Sequence, residues 1–299
     1  MSHKLDARTA FFLTLPPLLW AGNAVVGRLV NGLVPPVTLN LLRWLIAALI
    51  LLPLAPWVLQ RGSGLLANWQ RFALLGLLGV GCYNALQYMA LKTSTPLNVT
   101  LVASSMPLWM LALGTLFFGA RVTLAQVLGA LLSMAGVLVV LARGSWAHLL
   151  ELRLVAGDLY MLAATLAWAW YSWLLSRRAE PEAIRRDWAA FLLAQVLYGL
   201  VWSGAFSAAE WSLTDARIQW GTPLVLALLY VAVGPAVLAY RSWGLGIERA
   251  GPALAGFFSN LTPLFAAVLS AAFLGELPHL YHALAFGLIV AGIVVSSRR

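Results

Sequence analysis

The feature that most constrains this chain is a succession of apolar runs, each about as long as a helix must be to cross a bilayer. A spanning helix needs roughly 20 apolar residues. Ten such stretches, interrupted by charge, proline or glycine, can be read at 10–30, 36–54, 72–91, 97–118, 123–142, 156–176, 188–207, 222–244, 252–274 and 280–297. The connections between them are too short and too apolar for a separate soluble domain. Composition agrees: of 299 residues, 62% are hydrophobic and 10% charged, whereas about a quarter of an ordinary soluble domain is charged. So apolar a chain cannot hide its hydrophobic surface in one interior and still coat its outside with polar groups. That excludes a soluble globular enzyme, a disordered chain and a disulfide scaffold; the single cysteine, Cys82, lies in an apolar run. The predicted fold class is an all-α integral membrane protein of ten transmembrane helices. The first run follows Lys4 and Arg8, as a signal peptide would. It is long for one and shows no small-residue cleavage site, so a retained helix is expected.

The basic residues orient these spans. With the N-terminus in the cytoplasm, Lys4, Arg8, Arg61, Arg71, Arg121, Arg177, Arg178, Arg185, Arg186, Arg249, Arg298 and Arg299 fall on the inner side. Only Lys92, Arg143, Arg153 and Arg217 fall outside, and Arg28, Arg43 and Arg241 lie within spans. Twelve against four is a positive-inside bias, which predicts that both termini are cytoplasmic. The net charge of +9 is thereby read as a topology signal and a contact for anionic lipid heads. No basic patch interleaved with aromatics suggests nucleic acid. Trp57, Trp69, Trp146, Trp188, Trp211 and Trp220 fall at span ends, where indole rings favour the headgroup layer.

The chain also resembles itself. At an offset of 156 residues Pro96 matches Pro252, Pro107 matches Pro263, Gly119 matches Gly275 and Gly136 matches Gly292. Around the last pair, Ala135-Gly136-Val137-Leu138-Val139-Val140 matches Ala291-Gly292-Ile293-Val294-Val295-Ser296. Leu19-Trp20-Ala21 aligns with Ala167-Trp168-Ala169 at an offset of 148, which places extra length in the second half, near 208–221. The expectation is two five-helix units, 1–145 and 146–299. Five is odd, so the second unit must enter the membrane from the opposite side, giving the inverted repeat of many secondary transporters. Two similar halves in opposite orientation give inward-open and outward-open states of similar energy. The fourth and ninth spans each open on a proline (Pro96, Pro252) and carry another eleven residues on. Pro107 and Pro263 are therefore expected to kink their helices, with gating and plain packing both open as roles.

Several stretches taken in order resemble the drug/metabolite transporter superfamily, EamA-type. In the first half these are Leu19-Trp20-Ala21-Gly22-Asn23-Ala24, Asn40-Leu41-Leu42-Arg43-Trp44, Tyr83-Asn84-Ala85-Leu86-Gln87-Tyr88-Met89-Ala90-Leu91 and Ala103-Ser104-Ser105-Met106-Pro107-Leu108. In the second they are Tyr240-Arg241-Ser242-Trp243-Gly244-Leu245-Gly246-Ile247-Glu248, Asn260-Leu261-Thr262-Pro263-Leu264 and Phe273-Leu274-Gly275-Glu276. The resemblance covers nearly the whole chain, and the aromatic density is similar to that of the YddG-type exporters of aromatic amino acids. It implies ten helices with both termini inside, and a carrier of small metabolites, often outward across the bacterial inner membrane.

Polar groups in hydrocarbon are costly and tend to face the bundle interior or water. Tyr83, Asn84, Gln87 and Tyr88 fall within about 140° of helical arc, which reads as a cavity wall. Trp168, Tyr171 and Ser172 share a face, with Trp170 turned to lipid. Trp20 and Trp109 are too deep for the interfacial belt, and Asn23, Ser104, Ser105, Ser259, Asn260 and Thr262 lie at similar depth. Substrate contact is therefore expected from Trp20, Asn23, Arg43, Tyr83, Asn84, Gln87, Ser104, Trp109, Trp168, Tyr171 and Asn260, with Pro107 and Pro263 as gating positions. Such polar residues also join helices by bonds of about 0.6 kcal/mol, and at any one position that use stays open. Arg43 lies about seven residues into its span. Unpaired it would cost a few kcal/mol, so snorkelling or a structural partner is expected first, with a carboxylate substrate as the alternative.

A small-molecule substrate and the bilayer are the partners this reading implies. An intramembrane enzyme needs an activated nucleophile, paired carboxylates or a metal cluster. No G-x-S-G, G-x-G-D or H-E-x-x-H occurs, and His148, His279 and His282 do not combine with Cys82 or acids at ligand spacing, so no metal or cofactor is expected. An ion channel would need rings of carbonyls or charges. Carriers of polyamines, drugs or nucleosides remain alternatives to an amino-acid carrier. No acid is read at mid-depth, since Asp158, Glu248 and Glu276 lie near span ends. Transport into vesicles is accordingly expected to proceed without an imposed pH gradient. Uphill accumulation driven only by a pH jump would contradict this.

Overall fold

The structure is a computed structural model that describes residues 5–30, 32–94, 96–142, 145, 147–150, 153, 155–274 and 279–297. Among these every regular element is helical. The main helices are α1 (Ala7–Leu29), α2 (Pro36–Leu51), α3 (Trp69–Thr93), α4 (Pro96–Ser104), α5 (Met106–Phe118) and α6 (Leu124–Ala142). They are followed by α7 (Ala156–Ser176), α8 (Trp188–Leu213), α9 (Thr222–Ser259), α10 (Thr262–Leu274) and α11 (Leu280–Ser297). Gly275, Glu276, Trp146, Arg143, Lys4, Arg298 and Arg299 lie outside the described residues, as do the side chains of Arg28, Pro96 and His148.

Among the described residues seven stretches are long and apolar enough to cross a membrane, against the ten spans predicted. The difference has local causes. α2 is 16 residues long and α10 is 13, and the 21-residue α7 is diluted by Asp158 and by its Trp, Tyr and Ser residues. The connection expected at 245–251 is reduced to a kink at Gly251: the helix that begins at Thr222 runs on to Ala250, and a second helical stretch starts after Gly251, whose φ is 79° and ψ 159°. That left-handed value favours glycine. Pro107 and Pro263 do not kink continuous helices as expected. The chain breaks just before them, at Ser105 and at Asn260–Leu261, and each proline sits in the first turn of a new helix. A first-turn proline lacks only an N–H that has no intrahelical partner. The extra length of the second half lies mainly within a helix: α8 has 26 residues where α2 has 16, and it stays helical to Leu213.

Helix boundaries repeat along the chain. α3 contains a π-helical segment at Gly76–Cys82, and α9 contains another 156 residues later, at Ala232–Leu238. Met106–Phe118 recurs at the same spacing as Thr262–Leu274.

Acidic residues cap helix starts. Asp187 accepts from the backbone N–H groups of Ala189 and Ala190 at the head of α8 and from Trp57 Nε1 at 3.0 Å. Glu210, buried inside α8, reaches across to the head of α2. It accepts from Val37 N (3.1 Å), Thr38 N (2.8 Å) and Thr38 Oγ1 (2.9 Å), with Lys92 at 3.9 Å. A carboxylate at a helix N-terminus meets orphan N–H groups and the positive end of the helix dipole. A span ending at 207 predicts a loop at Glu210. The length of α8 puts it in the bundle.

Outward faces are apolar, as lipid contact demands: Leu49, Leu116, Leu131, Leu226 and Phe286 are exposed on helices that bury Trp44, Leu113, Ala130, Ala227 and Ala285. The pair α6 and α11 meets through small residues. A Cβ built on Gly292 would fall 2.6 Å from the Gly129 carbonyl oxygen, and one on Gly129 would fall 2.6 Å from that of Gly292. Small residues let membrane helices approach closely, where packing drives association. Gly292→Leu is therefore expected to push α6 and α11 apart and to lower the melting temperature of the purified protein in detergent. Gly287→Leu, at a position with open space around it, is expected to leave it unchanged.

Candidate functional site

Three of the four helices that carry the predicted aromatic residues converge on one ring, and a fifth element joins them. Trp168 on α7 has the ring centroids of Trp20 (α1) at 5.1 Å, Tyr83 (α3) at 5.1 Å and Tyr171 (α7) at 5.1 Å. Tyr240 and Trp243, both on α9, complete the set at 5.2 and 5.6 Å. Edge-to-face and tilted aromatic pairs contribute about 0.5–1.5 kcal/mol each beyond area burial. On α7 the spacing of Trp168, Tyr171 and Ser172 places all three on one buried face, and the Ser172 hydroxyl accepts from Trp243 Nε1 at 3.0 Å. Tyr240 extends the cluster to Trp44 on α2, 4.9 Å away.

The two π segments face this cluster. A π turn displaces carbonyls from the regular helical ladder and is frequent at functional sites. The Gly79 carbonyl accepts from the Tyr240 hydroxyl, and the Val80 carbonyl accepts from Asn40 Nδ2 at 3.0 Å. In α9 the Pro235 carbonyl, 156 residues after Gly79, accepts from Trp20 Nε1 at 3.3 Å. Each π segment is thus satisfied by a cluster residue from the other half of the chain.

Beside the aromatics lies a polar wall. Arg43 is fully buried, and its guanidinium sits 5.1 Å from the Trp44 ring centroid. It does not snorkel as the sequence reading expected, since α2 holds it with its face to the bundle interior. Its three guanidinium nitrogens and Trp44 Nε1 make no hydrogen bond among the described residues. Asn40 Oδ1 and Asn23 Oδ1 likewise have none, although Asn23 Nδ2 meets the Tyr88 hydroxyl at 3.4 Å. Arg43, Tyr83 and Tyr88 lie within electrostatic reach of the Tyr240 hydroxyl, and the Asn84 side chain is a hydrogen-bond partner of it. Gln87 is half-buried on the same helix.

Other predicted residues lie elsewhere. The Ser104 carbonyl accepts from Asn260 Nδ2 at 3.3 Å, and Asn260 also donates to Ser133 Oγ at 2.9 Å. These two residues, 156 apart, tie together the helix breaks before Pro107 and Pro263. Trp109 donates to Ser105 Oγ at 3.0 Å and makes no ring contact with the Trp168 cluster. Trp170 is not turned to lipid alone: it packs on Phe117 at 4.8 Å and Phe118 at 6.0 Å. Tyr240, Trp243 and Trp44 belong to the site and were missed. The signal was present, for Tyr240 and Trp243 have the three-residue spacing of Trp168 and Tyr171.

Toward the end of α7 a cavity of about 340 Å³ is lined by Trp173, Ser176, Arg178, Arg185, Ile247 and Glu248, among others. Arg178 and Glu248 form an ion pair at 2.6 Å beside it. Behind it Arg71 joins Glu180 at 2.7 Å, and Arg71 also donates to the Arg177 carbonyl at 3.0 Å.

An all-helical bundle with an apolar exterior and a polar, aromatic centre defines a membrane protein of transporter type. The chain belongs to the EamA-like transporter family, whose sequence pattern matches residues 7–142 and again 155–298. It is 27% identical over 236 residues to the uncharacterized transporter YyaM of Bacillus subtilis (strain 168), covering 79% of this chain and 75% of that protein. It is 28% identical over 284 residues to the aromatic amino acid exporter YddG of Ancylobacter novellus, covering 94% and 93%. A solved crystal structure superposes on 97% of this chain and 96% of its own with a TM-score of 0.76 at 24% identity, the same fold.

The cross-bonding of the π segments gives a test. Tyr240→Phe removes only the hydroxyl, which donates to the Gly79 carbonyl and is also met by the Asn84 side chain, and leaving a buried polar group without its partner costs about 1–3 kcal/mol. A lowered melting temperature is expected for Tyr240→Phe and for Trp20→Phe. An unchanged melt in both would show that these carbonyls need no partner.

Proposed function

We propose that this protein is an alternating-access carrier that moves small organic metabolites, amino acids including aromatic ones among them, outward across a bacterial inner membrane. In this reading the chain forms two inverted five-helix repeats, 1–145 and 146–299, with ten membrane crossings and both termini in the cytoplasm. The observation that carries it is the convergence of Trp20, Tyr83, Trp168, Tyr171, Tyr240 and Trp243 around a buried centre with Arg43 and Asn84 at its edge. Aromatic walls with a few oriented polar groups suit an apolar or aromatic solute with one polar end.

Several facts support the architecture. Helix boundaries and π segments recur at a spacing of 156 residues, and the family pattern matches the chain twice. The basic residues accumulate on one side, which supports the orientation. Breaks at corresponding places, before Pro107 and Pro263, supply pivots about which one half rocks against the other. The Arg178–Glu248 ion pair lies on the side assigned to the cytoplasm and, within the second half, ties the end of α7 to α9. Outward direction and aromatic cargo are supported by the exporter from Ancylobacter novellus.

The test is a counterflow panel of amino acids, polyamines and nucleosides in proteoliposomes. Saturable exchange is expected for amino acids with aromatic or large apolar side chains. Tyr83→Ala, Gln87→Ala and Trp168→Ala are expected to slow it at least about tenfold, as for loss of a central contact, and Trp109→Ala to slow it less. If all four variants fold and exchange like the parent, the site assignment fails.

A further inference from the structure

Among the described residues five of the seven buried side-chain polar atoms without a hydrogen bond lie on α2; the other two are Asn23 Oδ1 and Arg185 Nη1. On α2, Asn40, Arg43 and Trp44 stand at spacings of three and four residues, hence on one face. That face holds four buried nitrogen donors without an acceptor, three from Arg43 and one from Trp44, together with one unpartnered acceptor, Asn40 Oδ1. The orientation of the Asn40 amide is settled by its other end. Its Nδ2 donates to the Val80 carbonyl at 3.0 Å and to Ser203 Oγ at 3.3 Å, so the oxygen must be the free group.

A buried cation is normally paired. Among the described residues no carboxylate is available to Arg43. Asp187 and Glu210 cap helices, Asp158 is held by Ser94 and Asn98, Asp6 by Thr9, and Glu180, Glu182 and Glu248 pair with Arg71, Arg186 and Arg178. Asp215 is exposed beyond the end of α8. Among the described residues the guanidinium lies against the Trp44 ring and near the Tyr240 hydroxyl, and it meets no acid.

We propose that this face of α2 receives the head group of a zwitterionic α-amino acid. Arg43 and Trp44 Nε1 donate to its carboxylate, and Asn40 Oδ1 accepts from its ammonium group. The arrangement matches the ligand in sign and in number: several donors for a carboxylate, whose oxygens only accept, and an acceptor for an ammonium, which only donates. Trp44 touches Tyr240, and Tyr240 touches Trp168, so a side chain extending from that head group enters the aromatic cluster. The assignment rests on the carrier reading above and narrows it: amines without a carboxylate, polyamines included, are excluded as good cargo.

The experiment titrates the purified protein, by its intrinsic tryptophan fluorescence, with L-phenylalanine, 3-phenylpropionate and 2-phenylethylamine. These probes share a ring and carry both charges, only the carboxylate and only the ammonium. The expected order is phenylalanine, then phenylpropionate, with phenylethylamine at least about tenfold weaker than phenylalanine, the loss of a hydrogen bond to a charged group. Arg43→Met is expected to weaken both carboxylates at least about tenfold and to leave phenylethylamine unchanged. Trp44→Phe, which removes one N–H donor, is expected to weaken the carboxylates by a smaller factor. Because Arg43 makes no hydrogen bond or ion pair among the described residues, Arg43→Met is also expected not to lower the ligand-free melting temperature, whereas a structural arginine would. Arg43→Lys, which keeps the charge, is expected to recover part of the carboxylate affinity. Phenylethylamine binding as tightly as phenylalanine, an Arg43→Met variant that binds and exchanges phenylalanine like the parent, or one that melts markedly lower overturns the assignment while leaving the carrier reading intact. A parent protein that exchanges none of the solutes overturns both.

Discussion

Hydrocarbon offers backbone groups no hydrogen bonds, and this constraint governs the structure more than any single contact. A helix in lipid meets it internally. Where the helix departs from regularity, another group must supply the bond. The two π segments are such departures, and the chain resolves both in the same way. Tyr240, from the second half, donates to Gly79 in the first, and Trp20, from the first half, donates to Pro235 in the second. The residues that satisfy the backbone are also members of the aromatic cluster. Packing at the centre and backbone satisfaction around it are therefore one arrangement, and a motion that separates the halves must break both together.

The same accounting separates structural from functional polar groups. Glu210, Asp187 and Asp158 are buried or half-buried acids, and each spends its oxygens on helix termini or neighbouring side chains. Asn260 Nδ2 donates to the Ser104 carbonyl at the other helix break and to Ser133, and the Ser104 hydroxyl donates to the Leu101 carbonyl of its own helix. Against that background, Arg43 is exceptional because none of its three guanidinium nitrogens makes a hydrogen bond among the described residues, nor does its neighbour Trp44 Nε1, whereas Arg185, with one unpartnered nitrogen, still donates to the Leu175 carbonyl. The cost of a buried, unpaired guanidinium is tolerated at the edge of the aromatic centre and nowhere else in the described bundle.

How far the site could be read in advance depended on what each residue's signal was. Trp168 and Tyr171 were legible because the 3.6-residue period puts them on one face, and the deep Trp20 because an indole at that depth is out of place in the interfacial belt. Tyr240 and Trp243 have the same spacing but lie beside Arg241, which suggested a span end; only the length of α9 shows that they are central. Glu210 was hidden for the same reason, its helix running further than its polar composition suggested. Arg43 was visible as an anomaly, but whether it reached water or stayed inside depended on how α2 was turned.

The sequence by itself determined the helical class, the membrane setting and the family, because these follow from apolar periodicity, charge distribution and the order of short motifs, all local along the chain. It also carried the 156-residue spacing at which the helix breaks recur. Tertiary structure alone decided where helices end, which prolines begin new helices, and which polar atoms meet partners. Those outcomes turn on contacts between residues far apart in the chain, such as Tyr240 with Gly79 and Glu210 with Thr38. A residue's chemistry states what it can bond, and only the packed bundle establishes whether that bond is already made.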